Sequence, residues 1–358
     1  MSLPSPFVAA MGLVLAGLSL GAAPPSATQK LFVIDNDFSG PGGSDLQPVL
    51  FFLDNPDAKL LGLTVVTGDD WMKVETAHLL RFLEIAGHPE IPVVEGARVP
   101  LVNTPRRIAD WEARYGKLSW KGAWNKPETD GTVAGFDPDA VPTLEEGNPT
   151  IKAAPGAAAA FLVDAVRKHP HEVSIIALGP LTNIALATSL DPEFPSLVKE
   201  IVMTNGPATN LDPATGKVGP FTSGFNFVFD PEAADIVLRA PFPRIVSVGP
   251  VAERVSVDQS LIDAIAAKKT PLAAYLAKYA WKDLPMWDET ATAIALDPTL
   301  ALKSVDVLTA IDLGDGATHG SAIAFDAKSA PGRGERPVST VLDFDAARYR
   351  EMLLGAVR

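Results

Sequence analysis

The chain of 358 residues is long enough for one large α/β domain or two small ones, and 47% hydrophobic with 20% charged residues is the composition of a globular protein. Its net charge of −13 argues against nucleic acid or an anionic membrane surface as the partner, because both attract clusters of Lys and Arg. The absence of cysteine excludes disulfides, thiolate catalysis and thiolate-bound zinc. Small neutral substrates and hard metal cations remain as candidate ligands.

The N-terminus has the pattern of a signal peptide. An apolar run at residues 7–20 is followed by the small residues Gly21, Ala22 and Ala23. The run is too short for a comfortable membrane span, and the small residues suit a cleavage site, although no Lys or Arg precedes the run. We expect residues 1–27 to be a signal peptide and the mature protein to be exported, periplasmic or secreted. A retained anchor or a misassigned start is the alternative.

After the N-terminal segment, short β-branched runs alternate with helical patterns. The alternation predicts strands at residues 31–34, 60–67, 91–94, 173–178, 201–204 and 245–248, and helices at 74–86, 157–168, 183–189 and 231–239, with a further helical spacing across 46–53. Such alternation is typical of an α/β fold. We therefore expect a mainly parallel, doubly wound sheet with helices on both faces. No repeat or linker divides the chain, so residues 28–358 are predicted to form a single domain.

Two stretches interrupt this alternation. Residues 102–152 are rich in Pro, Gly, Asn and Trp and are interpreted as an irregular insertion, and residues 205–222 form a shorter stretch of the same kind. Long irregular loops in a compact domain commonly act as lids or binding loops. A surface insertion stabilised by its tryptophans is the alternative.

Polar and acidic residues follow several of the predicted strands. Asp35, Asn36 and Asp37 follow the first strand, Asp69 follows the second, and Asn205 follows the strand at 201–204. In open parallel sheets, ligands bind beyond the carboxyl ends of the strands, so these residues are predicted to converge. Several carboxylates in one place repel one another unless a cation or a proton neutralises them. Oxygen ligands of this kind favour calcium or magnesium over zinc.

Simpler structural roles compete for the same residues. Asp35 and Asp37 could merely end a strand in a turn. Asp45, Asn183 and Asp288 could be helix N-caps, whose side chains bond the first free backbone N–H groups of a helix. Capping and metal binding are compatible for Asp45.

Four motifs in sequence order resemble the inosine/uridine-preferring nucleoside hydrolases. They are the Asp35-Asn36-Asp37 opening, residues 178–187 (LGPLTNIALA), Phe225-Asn226 followed by residues 230–234 (DPEAA), and residues 287–291 (WDETA) leading to Leu296-Asp297-Pro298. Each motif alone is modest, and the four in order are specific. The similarity runs from about residue 30 to the C-terminus, interrupted at 102–152.

The resemblance implies a calcium-dependent N-glycosyl hydrolase that splits a ribonucleoside into base and ribose, using water activated by the metal. It implies four ligands for the calcium ion: Asp37, Asp45, Asp288 and the backbone carbonyl of Leu178. Asp37 matches the catalytic base and Asn226 matches a ligand of the ribose hydroxyls. We assign Asp69, Asn205, Trp287 and Glu289 to substrate binding as well.

The chain departs from the family pattern at four positions. Ser44 precedes Asp45 where the family has paired aspartates, and Asp69 stands where an asparagine is common. Gly224 stands where a ribose-binding glutamate is common. Trp287 replaces a histidine that protonates purine leaving groups, and a tryptophan cannot donate a catalytic proton at neutral pH, although it can stack on a base.

Three functions fit these observations. The first is hydrolysis of a nucleoside, the second is hydrolysis of another N-ribosyl or glycosyl compound, and the third is an exported calcium- and sugar-binding protein without catalysis. The intact Asp37, Asp45 and Asp288 favour an enzyme, whereas the altered positions 224 and 287 favour the second or third function. We further expect a homo-oligomer, no nucleic-acid partner, and no membrane association once the signal is removed.

Overall fold

A nine-stranded sheet organises the protein in the computed structural model, which describes residue 1 and residues 29–125, 136–206 and 224–358. The strands are β1 (Lys30–Asn36), β2 (Ala58–Val65), β3 (Val93–Glu95), β4 (Val173–Ala177), β5 (Glu200–Met203), β6 (Ile245–Ser247), β7 (Ala301–Ile311), β8 (Ala322–Phe325) and β9 (Arg336–Phe344). Their order across the sheet is β3-β2-β1-β4-β5-β6-β9-β7-β8.

The direction in which the sheet is built reverses next to β1. From β1 the chain adds β2 and β3 on one side, and it then crosses to β4, β5 and β6 on the other side, all in parallel pairs. The carboxyl ends of β1 and β4 therefore border a topological switch point, where open α/β sheets bind their ligands. Only the β9-β7-β8 end of the sheet contains antiparallel pairs.

Helices cover both faces of the sheet. They are α1 (Met72–Ala86), α2 (Pro105–Tyr115), α3 (Ala158–Lys168), α4 (Thr182–Leu190), α5 (Phe194–Leu197), α6 (Phe225–Phe229), α7 (Pro231–Arg239), α8 (Gln259–Ala266), α9 (Pro271–Tyr279), α10 (Trp287–Leu296) and α11 (Ala346–Ala356). Along β1, Phe32 and Ile34 enter one hydrophobic core and Val33 enters the other. Since successive residues of a strand point to opposite faces, this alternation shows a sheet that is buried on both sides.

The α/β fold with helices on both faces is confirmed, and the predicted strands and helices occur within two residues of most of their expected limits. The helical spacing at 46–53 proves to be a short 3₁₀ helix, Gln47–Phe52, with Pro48 in its first turn. The antiparallel strands β7 and β8 were not expected. The signal-peptide prediction lies outside the described residues, and within those residues no helix is long and apolar enough to cross a membrane.

The insertion at 102–152 is less irregular than its composition predicts, because it contains the eleven-residue helix α2. Thr104 caps this helix by accepting a hydrogen bond from the Arg107 N–H, Pro105 stands at its first position, and Gly116 follows its end. These are ordinary helix start and stop signals. The second irregular stretch, at 205–222, lies almost wholly outside the described residues.

Candidate active site

Asp35 and Asn36 are the last residues of β1, Asp37 follows the strand at the switch point, and all three residues are buried. Leu178 follows β4 on one side, and Gly68 and Asp69 follow β2 on the other. The convergence that the sequence predicts is therefore present at this edge of the sheet.

One oxygen of the Asp35 carboxylate is hydrogen-bonded to other side chains of the protein. Its Oδ1 accepts from the Thr64 hydroxyl at 2.5 Å and from the Asn183 amide at 2.8 Å, and burial raises the pKa of Asp35 to about 6 against the effect of these bonds. The Asn183 amide also donates to the Val65 carbonyl and accepts from the Ala97 N–H. Asn183 therefore ties β1 to β2 and does not cap α4. The Asp35–Asn183 pair supports the strand ends.

The carboxylate of Asp37 occupies a space that two glycines leave open. A Cβ at Gly68 would lie 2.0 Å from Asp37 Oδ2, and one at Gly179 would lie 2.7 Å from Oδ1. The backbone N–H of Asp69 donates to Asp37 Oδ2 at 3.0 Å. Burial and then the charges of Asp69 and Asp288 raise the pKa of Asp37 well above its usual range. A carboxylate whose pKa is raised binds a proton more readily than an ordinary carboxylate does.

Asp45 and Asp288 meet through Asn36. The Asn36 amide donates to the Asp45 carbonyl at 3.1 Å and to Asp288 Oδ2 at 3.0 Å. Burial raises the pKa of both carboxyls, with further contributions from Asp69 on Asp45 and from Glu289 on Asp288. Neither side chain caps a helix, since no side-chain cap bond exists at the start of α10 or of the 3₁₀ helix after Asp45.

Behind these ligand candidates, Ser44 bonds to the start of α10. Its hydroxyl donates to Glu289 Oε2 at 2.5 Å and accepts from the backbone N–H of Asp288 at 3.1 Å. Glu289 has no exposed surface, and burial raises its pKa to about 8. Glu289 was predicted to bind substrate, but its fully buried position favours a supporting role behind Asp288.

The carbonyl of Leu178 faces two polar side chains. It accepts from the Asn226 amide at 2.5 Å and from the Thr204 hydroxyl at 3.1 Å. Asn226 stands in the first turn of α6, so the substrate-binding and metal-binding candidates of the prediction are direct neighbours. Asn205 lies beside them, and a Cβ at Gly224 would lie 2.0 Å from its amide oxygen. The glycine at 224 therefore leaves room for the Asn205 side chain.

The insertion reaches the same edge of the sheet. The indole N–H of Trp120 donates to Asp69 Oδ1 at 2.5 Å, and the N–H of Ala123 donates to the Gly68 carbonyl at 2.8 Å. A Cβ at Gly122 would lie 2.0 Å from that carbonyl and 2.4 Å from the ring of Phe225, next to Asn226. Residues 120–125, which we name the strap, therefore lie across the site.

The residues of the predicted site divide into two groups. Those that adjoin one another at the switch point are Asp37, Asp45, Asp69, Leu178, Asn205, Asn226 and Asp288. Trp287, at the start of α10, is half-buried and packs against the core while part of its ring remains exposed. Glu289 lies behind the group.

The donor chemistry at the switch point fits a hard cation. Asp37, Asp45 and Asp288 are buried, and the charged groups that shift their pKa values most are all carboxylates. Uncompensated buried charge of one sign is costly unless an opposite charge binds. Across the described residues, however, no three His, Asp or Glu side chains already stand in a metal-binding arrangement. The fit is therefore one of ligand type, burial and charge.

Sequence reasoning missed the residues that support this group. Gly68, Gly179 and Trp120 were given no role, although each contacts a predicted site residue, and Asn36 was predicted to lie at this edge without a role. A signal was available for the glycines, because both directly follow a predicted strand end where another chain segment must approach closely. No local pattern indicates the partners of Asn36 or Trp120.

Comparison with known proteins identifies the family of the chain. A family model of inosine-uridine preferring nucleoside hydrolases matches residues 32–351. An uncharacterised protein of Schizosaccharomyces pombe is 30% identical over 348 residues, which cover 91% of this chain and 84% of that protein. A probable uridine nucleosidase of Arabidopsis thaliana is 36% identical over 252 residues, covering 70% of this chain and 68% of that protein.

Among solved structures, a plant nucleoside hydrolase superposes with a TM-score of 0.69 at 24% identity, covering 92% of this chain and 98% of that one. At that identity the likeness shows the fold alone, which is the α/β fold described above. The match over residues 32–351 spans all the motifs from β1 to α10 that carry the resemblance. The chain belongs to the inosine-uridine preferring nucleoside hydrolase family and is an N-glycosyl hydrolase of the nucleosidase type.

Proposed function

We propose that this protein hydrolyses the N-glycosidic bond of a ribonucleoside with the help of a calcium ion, releasing base and ribose. The observation that carries the proposal is the group of three buried, mutually repelling carboxylates, Asp37, Asp45 and Asp288, beside Asn226 at the switch point. Their oxygens and the Leu178 carbonyl would hold the ion. When bound, calcium would orient the ribose hydroxyls and lower the pKa of the attacking water.

Asp37 is proposed to take the proton from that water. Its carboxylate is buried, its pKa is raised, and a single backbone N–H bonds Oδ2. The water oxygen would then bond to C1′ of the ribose as the bond from C1′ to the base nitrogen breaks. The base would leave with the bonding electron pair and take up a proton from solvent, and Asp37 would return its proton to solvent. Asn226 is proposed to donate its amide N–H to a ribose hydroxyl in place of the Leu178 carbonyl. Asp69 would keep its negative charge when Asp37 takes the proton, and this charge would stabilise the developing positive charge on the sugar ring.

A second candidate is hydrolysis of another N-ribosyl compound. Trp287 favours it, because an indole cannot protonate a poor leaving group. Gly224 favours it as well, because the position offers no side chain to the sugar.

The test is incubation of the purified protein with a panel of nucleosides and N-ribosyl compounds, measured by release of reducing sugar with and without a calcium chelator. We expect chelation to abolish turnover. Asp37→Ala and Asp288→Ala should lose bound calcium as well as the rate. Asp191→Ala is the matched control, since Asp191 is buried but pairs with Arg167 away from the site.

Calcium bound at full occupancy by Asp288→Ala would refute the ligand assignment. Turnover of a different N-ribosyl compound and of no nucleoside would establish the second candidate. Calcium binding without turnover of any compound would favour the third function, a calcium- and sugar-binding protein without catalysis.

A further inference from the structure

Ser44 connects the two segments that carry Asp45 and Asp288. Its hydroxyl donates its one hydrogen to Glu289 and accepts a hydrogen bond from the Asp288 N–H, so it acts both as a donor and as an acceptor towards α10. Ser44 is directly bonded along the chain to Asp45. Ser44 and Glu289 are both buried, at 3% and 0% exposure, so water does not compete for these bonds.

Asn36 completes the connection from β1. Its amide donates to the backbone carbonyl of Asp45 and to Asp288 Oδ2, so β1 is hydrogen-bonded to both of these segments. The second oxygen of Glu289, Oε1, has no hydrogen-bond partner although it is buried. In the described part of the chain, the Glu289 carboxyl is therefore hydrogen-bonded to a side chain through Oε2 and Ser44.

We propose that Ser44 and Glu289 form a positioning pair that holds Asp45 and Asp288 in place for the cation, and that Glu289 requires a serine at position 44. This inference rests on the proposed metal-dependent function. An aspartate at 44, which would restore the paired aspartates of the family, would put a second carboxylate against Glu289. An ionised aspartate has no hydrogen to donate to Glu289 Oε2, so the bond that the Ser44 hydroxyl makes would be lost and the two carboxyl groups would have to share a single proton. The substitution at 44 and the glutamate at 289 are therefore one coupled change.

The pair can be tested by calcium titration calorimetry on five variants. Groups that orient metal ligands commonly contribute 10–100-fold to metal affinity, so we expect Ser44→Ala to lose calcium affinity by about that factor. Ser44→Thr keeps the hydroxyl and should restore most of it. Ser44→Asp should lose at least as much as Ser44→Ala, despite adding a potential ligand. Glu289→Gln keeps an acceptor for Ser44 and should stay within about threefold.

The double variant Ser44→Asp/Glu289→Gln gives the sharpest outcome. The amide introduced at position 289 can donate to the new carboxylate, so affinity should recover to within about tenfold of the unmodified protein. Ser174→Ala is the matched control, because the Ser174 hydroxyl also donates to a buried glutamate, Glu200, at 3.0 Å, but between the starts of β4 and β5. It should affect thermal stability without affecting calcium affinity.

The failures are distinguishable. An unmodified protein that binds no calcium would refute the metal site of the proposed function and this pair with it. An unmodified protein that binds calcium while Ser44→Ala and Ser44→Asp bind it equally well would refute the positioning pair alone. A double variant no better than Ser44→Asp would refute the coupling. If Ser44→Asp does not fold, Ser44→Ala against Ser44→Thr still decides whether the hydroxyl matters.

Discussion

Trp287 lies directly before Asp288 at the start of α10, half-buried, with an indole that offers a ring face and one N–H. A nucleobase whose departure needs protonation receives no proton from this side chain. Among the described histidines, the side chains of His78, His88 and His319 hydrogen-bond Glu146, Glu90 and the Gly314 carbonyl, none of which belongs to the site. The leaving group must therefore depart well on its own or be protonated by another residue.

This predicts a large discrimination between leaving groups. General acid catalysis is commonly worth about 10²–10⁴-fold, so an activated aryl riboside, which needs no proton, should be hydrolysed at least a hundred times faster than inosine. The comparison is of kcat/KM on the same preparation at the same pH. Equal values would mean that another group supplies the proton, and Asp69, half-buried beside Asp37, would be the first to substitute.

Replacement of the indole tests its contribution to binding. If the base stacks on Trp287, Trp287→Ala should raise KM for nucleosides by about one to two powers of ten, because stacking on an aromatic side chain is worth about 1–3 kcal/mol. Trp281→Ala is a suitable control, since Trp281 is exposed and packs against the neighbouring Gly42. A KM unchanged in Trp287→Ala would make the tryptophan a packing residue of the core.

Asn226 is expected to act on the sugar. Asn226→Ala removes a buried hydrogen bond to substrate and transition state, which should reduce kcat/KM for every ribosyl substrate roughly thirtyfold. This factor corresponds to about 2 kcal/mol of transition-state stabilisation. Asn103→Ala is the matched control, because the buried Asn103 amide donates to the Val228 and Phe229 carbonyls at the end of the same helix, α6. The control should lower the melting temperature and leave kcat/KM within about threefold. Equal losses in both variants would assign Asn226 a structural role.

At the scale of single residues, the sequence predicts which residues belong to the site better than it predicts which residues contact them. Asp37, Asp45 and Asp288 are marked by strand ends and motifs, and the structure places them close enough to raise one another's pKa values. The partner of Ser44 lies 245 residues away, and no local period connects the two. The same holds for Gly224 and Asn205, whose relation depends on the approach of two chain segments.

Among the elements, the insertion departs most from prediction. Its composition suggests an irregular lid or surface insertion, whereas it contains the regular helix α2, and the strap contacts the site through Trp120. Strands β1, β2, β4 and β5 are predictable because they are buried on both faces and read as continuous apolar runs. β7 is not, because only two of its eleven residues are buried and it lies in the antiparallel part of the sheet.

The strap gives a prediction at this scale. Trp120→Phe keeps the ring and removes the N–H that bonds Asp69, so the strap should loosen over the site, with KM rising by roughly threefold to tenfold and little change in melting temperature. Trp111→Phe is the matched control in the same insertion, since its indole donates to the Gly316 carbonyl away from the site. An increase of KM in the control and not in Trp120→Phe would assign the substrate contact to α2.

On the scale of the whole molecule, the buried carboxylates at the switch point destabilise the folded state, and the packing of the two hydrophobic cores must offset this effect. Three carboxylates from two distant parts of the chain, Asp37 and Asp45 after β1 and Asp288 in α10, are brought together and buried, in a protein whose net charge is already −13. Burying like charges destabilises the folded state, and a ligand that binds only the folded state restores stability by mass action. The cation is therefore expected to act on the fold as well as on the reaction.

Thermal unfolding across pH tests this expectation. Burial and mutual repulsion raise the folded-state pKa of Asp37, Asp45 and Asp288 above the unfolded value of about 4, so between that value and the raised pKa the folded state binds protons that the unfolded state releases. The calcium-free protein should therefore lose stability as the pH rises from about 4 towards neutrality. Calcium at about a hundred times its dissociation constant contributes about 2.7 kcal/mol, which should raise the melting temperature by roughly 5 °C at neutral pH.

The gain from calcium should shrink as the pH falls, because protons then compete for the same carboxylates. In Asp288→Ala the gain should disappear and the calcium-free slope should flatten, since one of the repelling charges is gone. Arg167 lowers the pKa of Asp191, so the Asp191 carboxylate contributes stability near neutral pH and loses that contribution on acidification. Asp191→Ala should therefore lose stability mainly near neutral pH, which makes the calcium-free slope steeper rather than flatter. A melting temperature that is independent of calcium at every pH would mean that the carboxylates hold no ion, and the proposed metal-dependent hydrolysis would fail with it.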